Sequence, residues 1–179
     1  RLLGIITHDD VIDVMREEAT EDVQRISAVN PLSQSYLRTS LLTLSWKRGV
    51  WLTILFFAAL LTAFALDGYK SVFAGANATW LVLFIHLVIS SGGNAGRQSS
   101  TLVISGLARN DIKATDWWRI FRRELAMGLM LGTLVGTLGS ICAIILAANL
   151  VAALVVPITL LLVIVCGTAC GSLLPLLFQ

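Results

Sequence analysis

Apolar residues in this chain are gathered into long blocks instead of short amphipathic stripes. Residues 125–179 form 55 consecutive positions without Asp, Glu, Lys, Arg or His. One helix of that length would run about 80 Å against a hydrocarbon thickness of about 30 Å, so the block is expected to cross a bilayer twice. Earlier apolar blocks occupy 49–66 and 79–91, the second resuming over 101–108. The pattern predicts four spans, at 49–68, 78–108 with a break, 123–147 and 153–178, the last turn lying near Ala148-Asn149-Leu150. The expected fold class is an all-α polytopic membrane protein.

Ahead of these blocks the period changes. Residues 1–7 read as a short buried strand, after which Thr7 and Asp10 suit a helix N-cap and its first-turn acid. Val11, Ile12, Val14, Met15, Val23 and Ile26 then recur at helical spacings over 9–29. Asp9, Asp10, Asp13, Glu17, Glu18, Glu21 and Asp22 fill much of the remaining surface, seven of the chain's 11 acids. Of these, Asp10, Asp13, Glu17 and Glu21 share a stripe whose carboxylates repel one another. Two readings fit: divalent cations neutralise the stripe, Mg²⁺ commonly taking one or two carboxylates and keeping its waters, or the stripe is a solvated charged face. Pro31 marks a break before an amphipathic approach over 35–47.

Only 13% of residues are charged and 56% are hydrophobic, far from the roughly 25% charged of a soluble domain. Arg109, Lys113, Arg119, Arg122 and Arg123 crowd the connection over 109–124, and Arg38, Lys47 and Arg48 precede the first span. Retention of basic residues on the cytoplasmic side places both segments inside, and the segment around Asp67 and Lys70 outside. Trp46, Trp51, Trp117 and Trp118 stand near span ends, as interfacial anchors do. Cys142, Cys166 and Cys170 fall inside spans without acidic or His partners and read as small apolar filler.

The unusual polar stretch is Ser90-Ser91-Gly92-Gly93-Asn94-Ala95-Gly96-Arg97-Gln98-Ser99-Ser100. Irregular backbone at membrane depth is tolerated only where protein packs on it or water lines it, so a pore or substrate site is one reading. A helix ending at the interface in a glycine cap is the other. Gly128, Gly132, Gly136 and Ser140, and later Gly167 and Gly171, form small-residue ridges that read as packing seams. Pro157 is placed near the start of the last span, where a missing N–H costs least. No nucleophile, base and orienting group gather at one depth, so an enzyme is not expected. A coupled carrier with a broken-helix site and a non-transporting scaffold are the other classes the pattern leaves open.

The run Leu3-Gly4-Ile5-Ile6-Thr7-His8-Asp9-Asp10-Val11-Ile12-Asp13-Val14 resembles the end of the second CBS domain of MgtE-type bacterial magnesium channels. Glu17-Glu18-Ala19-Thr20-Glu21-Asp22 resembles their linker into a plug helix. Ile89-Ser90-Ser91-Gly92-Gly93-Asn94-Ala95-Gly96-Arg97-Gln98 with Ser99-Ser100-Thr101-Leu102 resembles their pore signature, and Asp116-Trp117-Trp118-Arg119 with Arg123-Glu124 the cytoplasmic connection after it.

The resemblance implies a CBS fragment at 1–15, a connecting or plug helix and membrane approach at 16–48, and a transmembrane domain at 49–179 whose fifth span lies beyond Gln179. It implies a homodimer of the inner membrane that imports Mg²⁺ along a pore on the two-fold axis and closes in response to cytosolic Mg²⁺, with the N-terminal segment cytoplasmic. Gly92, Gly93, Asn94, Gly96 and Gln98 would line the pore; Asp10, Asp13, Glu18, Glu21 and Asp22 would hold regulatory Mg²⁺. The principal pore acid would sit on the fifth span. Implied partners are the bilayer, a second copy and Mg²⁺, with Co²⁺, Ni²⁺ or Mn²⁺ as further cargo, and no nucleic acid. Two positions depart from the family pattern. Arg97 should find an acid or turn away from a cation path, and His86, in place of a common proline, is expected to be a structural histidine with a polar partner.

Overall fold

The computed structural model describes residues 4–27, 29–32, 35–67, 79–146 and 150–178. Five long helices carry them: α1 (His8–Ile26), α2 (Leu41–Asp67), α3 (Thr79–Ala108), α4 (Trp117–Leu146) and α5 (Leu150–Leu177), with a 3-10 turn at Ala114–Asp116 leading into α4. The all-helical class expected from the apolar blocks is the one observed, with one local correction. Residues 4–7 form no strand, and Ile5 and Ile6 are exposed: a lone strand has no ladder to satisfy its backbone, and among the described residues there is no second one. Thr7 caps α1 as its spacing predicts, its amide donating to Asp10 Oδ2 at 2.8 Å while its hydroxyl accepts from the Asp10 amide. Val14, Met15, Val23 and Ile26 of α1 remain exposed.

The approach and the first span are one helix. Ser40 starts it, its hydroxyl accepting from the Thr43 amide at 3.1 Å, so α2 begins well before the predicted boundary at 49. The helices α2, α4 and α5 are long and apolar enough to cross a membrane. At 30 residues, or about 45 Å, α3 has the length as well, and the polar stretch lowers its hydropathy.

The predicted break in α3 does not occur. The helix runs unbroken through Ser90–Ser100 and ends beyond it, where Asn110 adopts φ 57°, its amide donating to Leu107 O and the Asp111 amide to Gly106 O. That double hydrogen bond is a Schellman cap built on Asn, so the glycines neither interrupt nor terminate the helix.

In the bundle α5 packs along both α3 and α4, and α2 lies against the same two helices. Leu44, Phe56, Leu87, Leu102, Ile120, Met127, Leu131, Leu160 and Ile164 fill the core, while Leu61, Ile145 and Leu177 face outward as lipid-facing residues do. Because α5 starts at Leu150, Pro157 lies inside it instead of at its first turn. Gly136 of α4 accommodates it, since a Cβ there would come within 3.2 Å of Pro157 O. The predicted turn at Ala148-Asn149 and the outer segment with Lys70 lie outside the described residues.

Candidate functional site

An unbroken α3 sorts the polar stretch by helical face. Gly92 and Gly96 point into α5: a Cβ on Gly92 would stand 2.2 Å from Val163 Cγ1, and one on Gly96 3.0 Å from Gly167 O. The approach is mutual, because a Cβ on Gly167 or Gly171 would meet Gly92 O at 2.5 Å or Gly96 O at 2.3 Å. The two helices thus touch backbone to backbone, and Ser100 Oγ fastens the seam by donating to Gly171 O at 2.7 Å. Glycine costs a helix about 1 kcal/mol per residue, and close packing against α5 works against that cost. The second ridge packs as expected: Gly128 and Gly132 of α4 face Val165 and Leu161 of α5.

Gly93 lies on the other side, with open space where a Cβ would project. Successive steps of three and four residues put His86, Ser90, Gly93, Asn94 and Arg97 on this uncovered side of α3. Asn94 Nδ2 donates to Ser90 Oγ at 3.3 Å, and both residues are half-buried. Arg97 and His86 are both exposed on this side of the helix. Gln98 is buried. Of the five residues expected to line a pore, the fold therefore sets Gly93 and Asn94 on an open face, Gly92 and Gly96 in the α5 seam, and Gln98 inside the bundle. The carbonyls of Gly92 and Gly93 belong to the helix's own hydrogen-bond ladder.

A second polar centre was not anticipated. Arg48 of α2 and Glu124 of α4 form an ion pair with both side chains fully buried, Arg48 Nη1 reaching Oε1 at 3.0 Å and Oε2 at 3.1 Å. Tyr36 donates its phenol to Oε1 at 2.6 Å and Ser99 its hydroxyl to Oε2 at 2.5 Å. Arg48 Nη2 closes the ring by donating to Ser99 Oγ at 2.8 Å and Ala95 O at 3.3 Å. Arg123 lies 4.9 Å above the Tyr36 ring and donates to Leu37 O and Thr39 O. Burial, and then the Glu124 carboxylate, push the Tyr36 phenol well above its usual value. Arg48 and Arg123, counted in the sequence as interfacial charges, are thus committed to holding α2, α3, α4 and the segment before α2 together. The available signal was Glu124 itself, the last acid of the chain, standing at the head of an apolar block.

The acids of α1 are arranged differently. Asp10 is held by Thr7, which keeps its carboxyl below the usual range, and Glu21 pairs with Arg25 at 3.0 Å. Asp13, Glu18 and Asp22 are exposed along the helix, and among the described residues no three His, Cys, Asp or Glu side chains converge as metal ligands. The helix reaches α3 through Ser27 Oγ and Thr101 Oγ1, 2.7 Å apart. A cleft of about 470 Å³ lies between Asp13, Glu17 and Thr20 on α1 and Arg109 and Asn110 beyond α3.

A neutral amide on an uncovered helix face suits a hydrated cation held by hydrogen bonds. The family model MgtE, a divalent cation transporter, matches residues 85–179, which include the open face of α3. The chain is 38% identical over 130 residues to the magnesium transporter MgtE of Thermus thermophilus, covering 73% of this chain and 28% of that protein. It is 34% identical over 131 residues to the Enterococcus faecalis magnesium transporter MgtE, covering 72% and 27%, and 30% identical over 123 residues to that of Bacillus subtilis, covering 69% and 26%. The chain spans about a quarter of the length of these relatives. With its helical membrane bundle and a match over more than half its length, the chain belongs to the MgtE family of divalent cation transporters.

Proposed function

We propose that this chain is part of a magnesium importer in which Mg²⁺ passes along the open face of α3, over Ser90, Gly93 and Asn94. The observation that carries the reading is the division of α3 into two sides: one locked to α5 through glycine, the other polar and uncovered at membrane depth. An uncovered polar face in hydrocarbon is costly unless water or another subunit covers it. A second copy related by a two-fold axis supplies that cover, and the space between the copies is the cation route. Mg²⁺ loses water reluctantly, so neutral donors such as the Asn94 carbonyl hold it with its hydration shell. The Arg97 charge beside this route needs an acidic counter-charge. Co²⁺, Ni²⁺ and Mn²⁺ are competing cargo.

The protein resides in the bacterial inner membrane with α1 cytoplasmic. Asp10, Asp13, Glu18, Glu21 and Asp22 sense cytosolic Mg²⁺. Their repulsion favours the open state when Mg²⁺ is scarce, and bridging ions settle α1 against α3 when it is abundant, through differential affinity for the two states. A coupled carrier is the less favoured reading, because its broken-helix site is absent from the unbroken α3.

Purified full-length protein in liposomes tests this reading. It predicts Mg²⁺ uptake down its own gradient, independent of an imposed proton or sodium gradient, with closure at high internal-face Mg²⁺ blunted by Asp13→Asn, Glu18→Gln and Glu21→Gln together. Uptake only with a second gradient would establish a carrier, and an unchanged Mg²⁺ response would return α1 to a solvated surface.

A further inference from the structure

We propose that the groove between α2 and α4 is a binding site for one anionic phospholipid of the leaflet bordering the basic connection, which is cytoplasmic on the orientation proposed above. The groove comprises two hollows, both between the α2 side and α4. Its mouth, about 450 Å³, lies between Leu37 and Leu41 on one side and Trp118, Arg119, Arg122 and Ala126 on the other. Its trough, about 860 Å³, continues between Trp46 and Gly49 of α2 and Leu129, Met130 and Thr133 of α4. Arg122, Ala126, Met130 and Thr133 succeed one another at steps of four, four and three residues, with Leu129 beside Met130, so mouth and trough lie along one face of α4.

The division of chemistry along the groove fits one occupant. Arg123 in the mouth is committed to Leu37, Thr39 and Tyr36, whereas Arg119 and Arg122 are exposed at the head of α4. Below them the walls turn apolar from Ala126 to Leu134, a rise of about 12 Å against about 15 Å for the hydrocarbon of one leaflet. Gly49, where a side chain would meet Leu134 at 3.0 Å, keeps the floor low. A phosphodiester with a net negative headgroup matches the arginine mouth and an acyl chain matches the trough; basic pockets between spans on this side of a membrane hold such lipids. A zwitterionic lipid would fill the trough equally and gain less at the mouth.

The test is native mass spectrometry of the full-length protein in mild detergent, titrated separately with palmitoyl-oleoyl phosphatidylglycerol and phosphatidylcholine. Wild type is expected to retain phosphatidylglycerol at the lower concentration. Each arginine is worth about 5-fold, so Arg119→Gln with Arg122→Gln should lower that retention about 25-fold with little effect on phosphatidylcholine. The paired Arg→Lys variant should keep most of it. Thr133→Trp, on the outward side of α4, should fill the trough and weaken both lipids. Equal retention of the two lipids by wild type, or indifference to the paired Gln variant or to Thr133→Trp, would overturn the proposal. So would a disulfide-linked dimer formed by Thr133→Cys in a protein lacking Cys142, Cys166 and Cys170, since it would seat a second copy in the groove. None of these readouts depends on cation flux.

Discussion

Arg48 on α2 and Glu124 on α4 are 76 residues apart in sequence and 3.0 Å apart in the bundle, with neither side chain reaching solvent. Removing one member strands the other charge in a dry interior, which costs about 3–5 kcal/mol, whereas replacing both with apolar residues of similar volume is often near neutral. Glu124→Met and Arg48→Met should each lower the melting temperature of the purified protein sharply, and the double Met variant should lose less than the sum of the two, the loss that remains coming from the Tyr36 and Ser99 hydroxyls left without their acceptor. Additive losses in the double variant would contradict the pairing.

Tyr36 attaches the segment before α2 to the same carboxylate. Its raised pKa means that the folded protein holds the phenolic proton more tightly than the unfolded chain does, where it leaves near pH 10. The stabilisation is therefore complete below about pH 10 and is lost as pH rises through the higher folded value. The melting-temperature gap between wild type and Tyr36→Phe should stay constant from pH 8 to about 10 and narrow above it. A gap that widens with pH would have the wrong sign.

The two sides of α3 should respond oppositely to added side chains. Gly171→Val drives a side chain against Gly96 O, where a Cβ alone stands 2.3 Å away, and should cost about 1–3 kcal/mol or more with reduced folded yield. Gly93→Ala meets open space and gains helix propensity, so the folded yield should hold or rise. Size-exclusion yield and melting temperature of the two variants read this directly.

The orientation is tested by labelling. In a protein freed of Cys142, Cys166 and Cys170, Asn110→Cys should resist an impermeant thiol reagent added outside intact cells, and Ser71→Cys should react. The reverse pattern would invert the topology. Contact of Arg123 with Leu37 and Thr39 already sets the approach to α2 and the head of α4 at the same end of the bundle.

Much of this fold was legible in the chain because hydrocarbon thickness fixes span length, and the uncharged block over 125–179 admits two crossings as α4 and α5. The Thr7 cap was legible because its hydrogen bonds are local. The unbroken α3 was not: local propensity makes Gly92, Gly93 and Gly96 a break, and the packing of Gly92 and Gly96 against Gly167 and Gly171, some 75 residues later, is invisible to it. For the same reason the pore-lining set read from the sequence was undivided, since the face of α5 that claims Gly92 and Gly96 is a tertiary fact. The Arg48–Glu124 pair was hidden because basic residues at span ends read equally well as loop charges.

The central claim is that cations travel along the open face of α3. It is tested most directly by Mg²⁺ flux through full-length Asn94→Cys, in the background without native cysteines, before and after a positively charged, water-soluble thiol reagent. A bulky cation fixed at residue 94 should stop the flux, Mg²⁺ should slow the modification, and the same reagent on Ile141→Cys of the outward α4 surface should do nothing. Undiminished flux after complete modification at residue 94 would contradict the route.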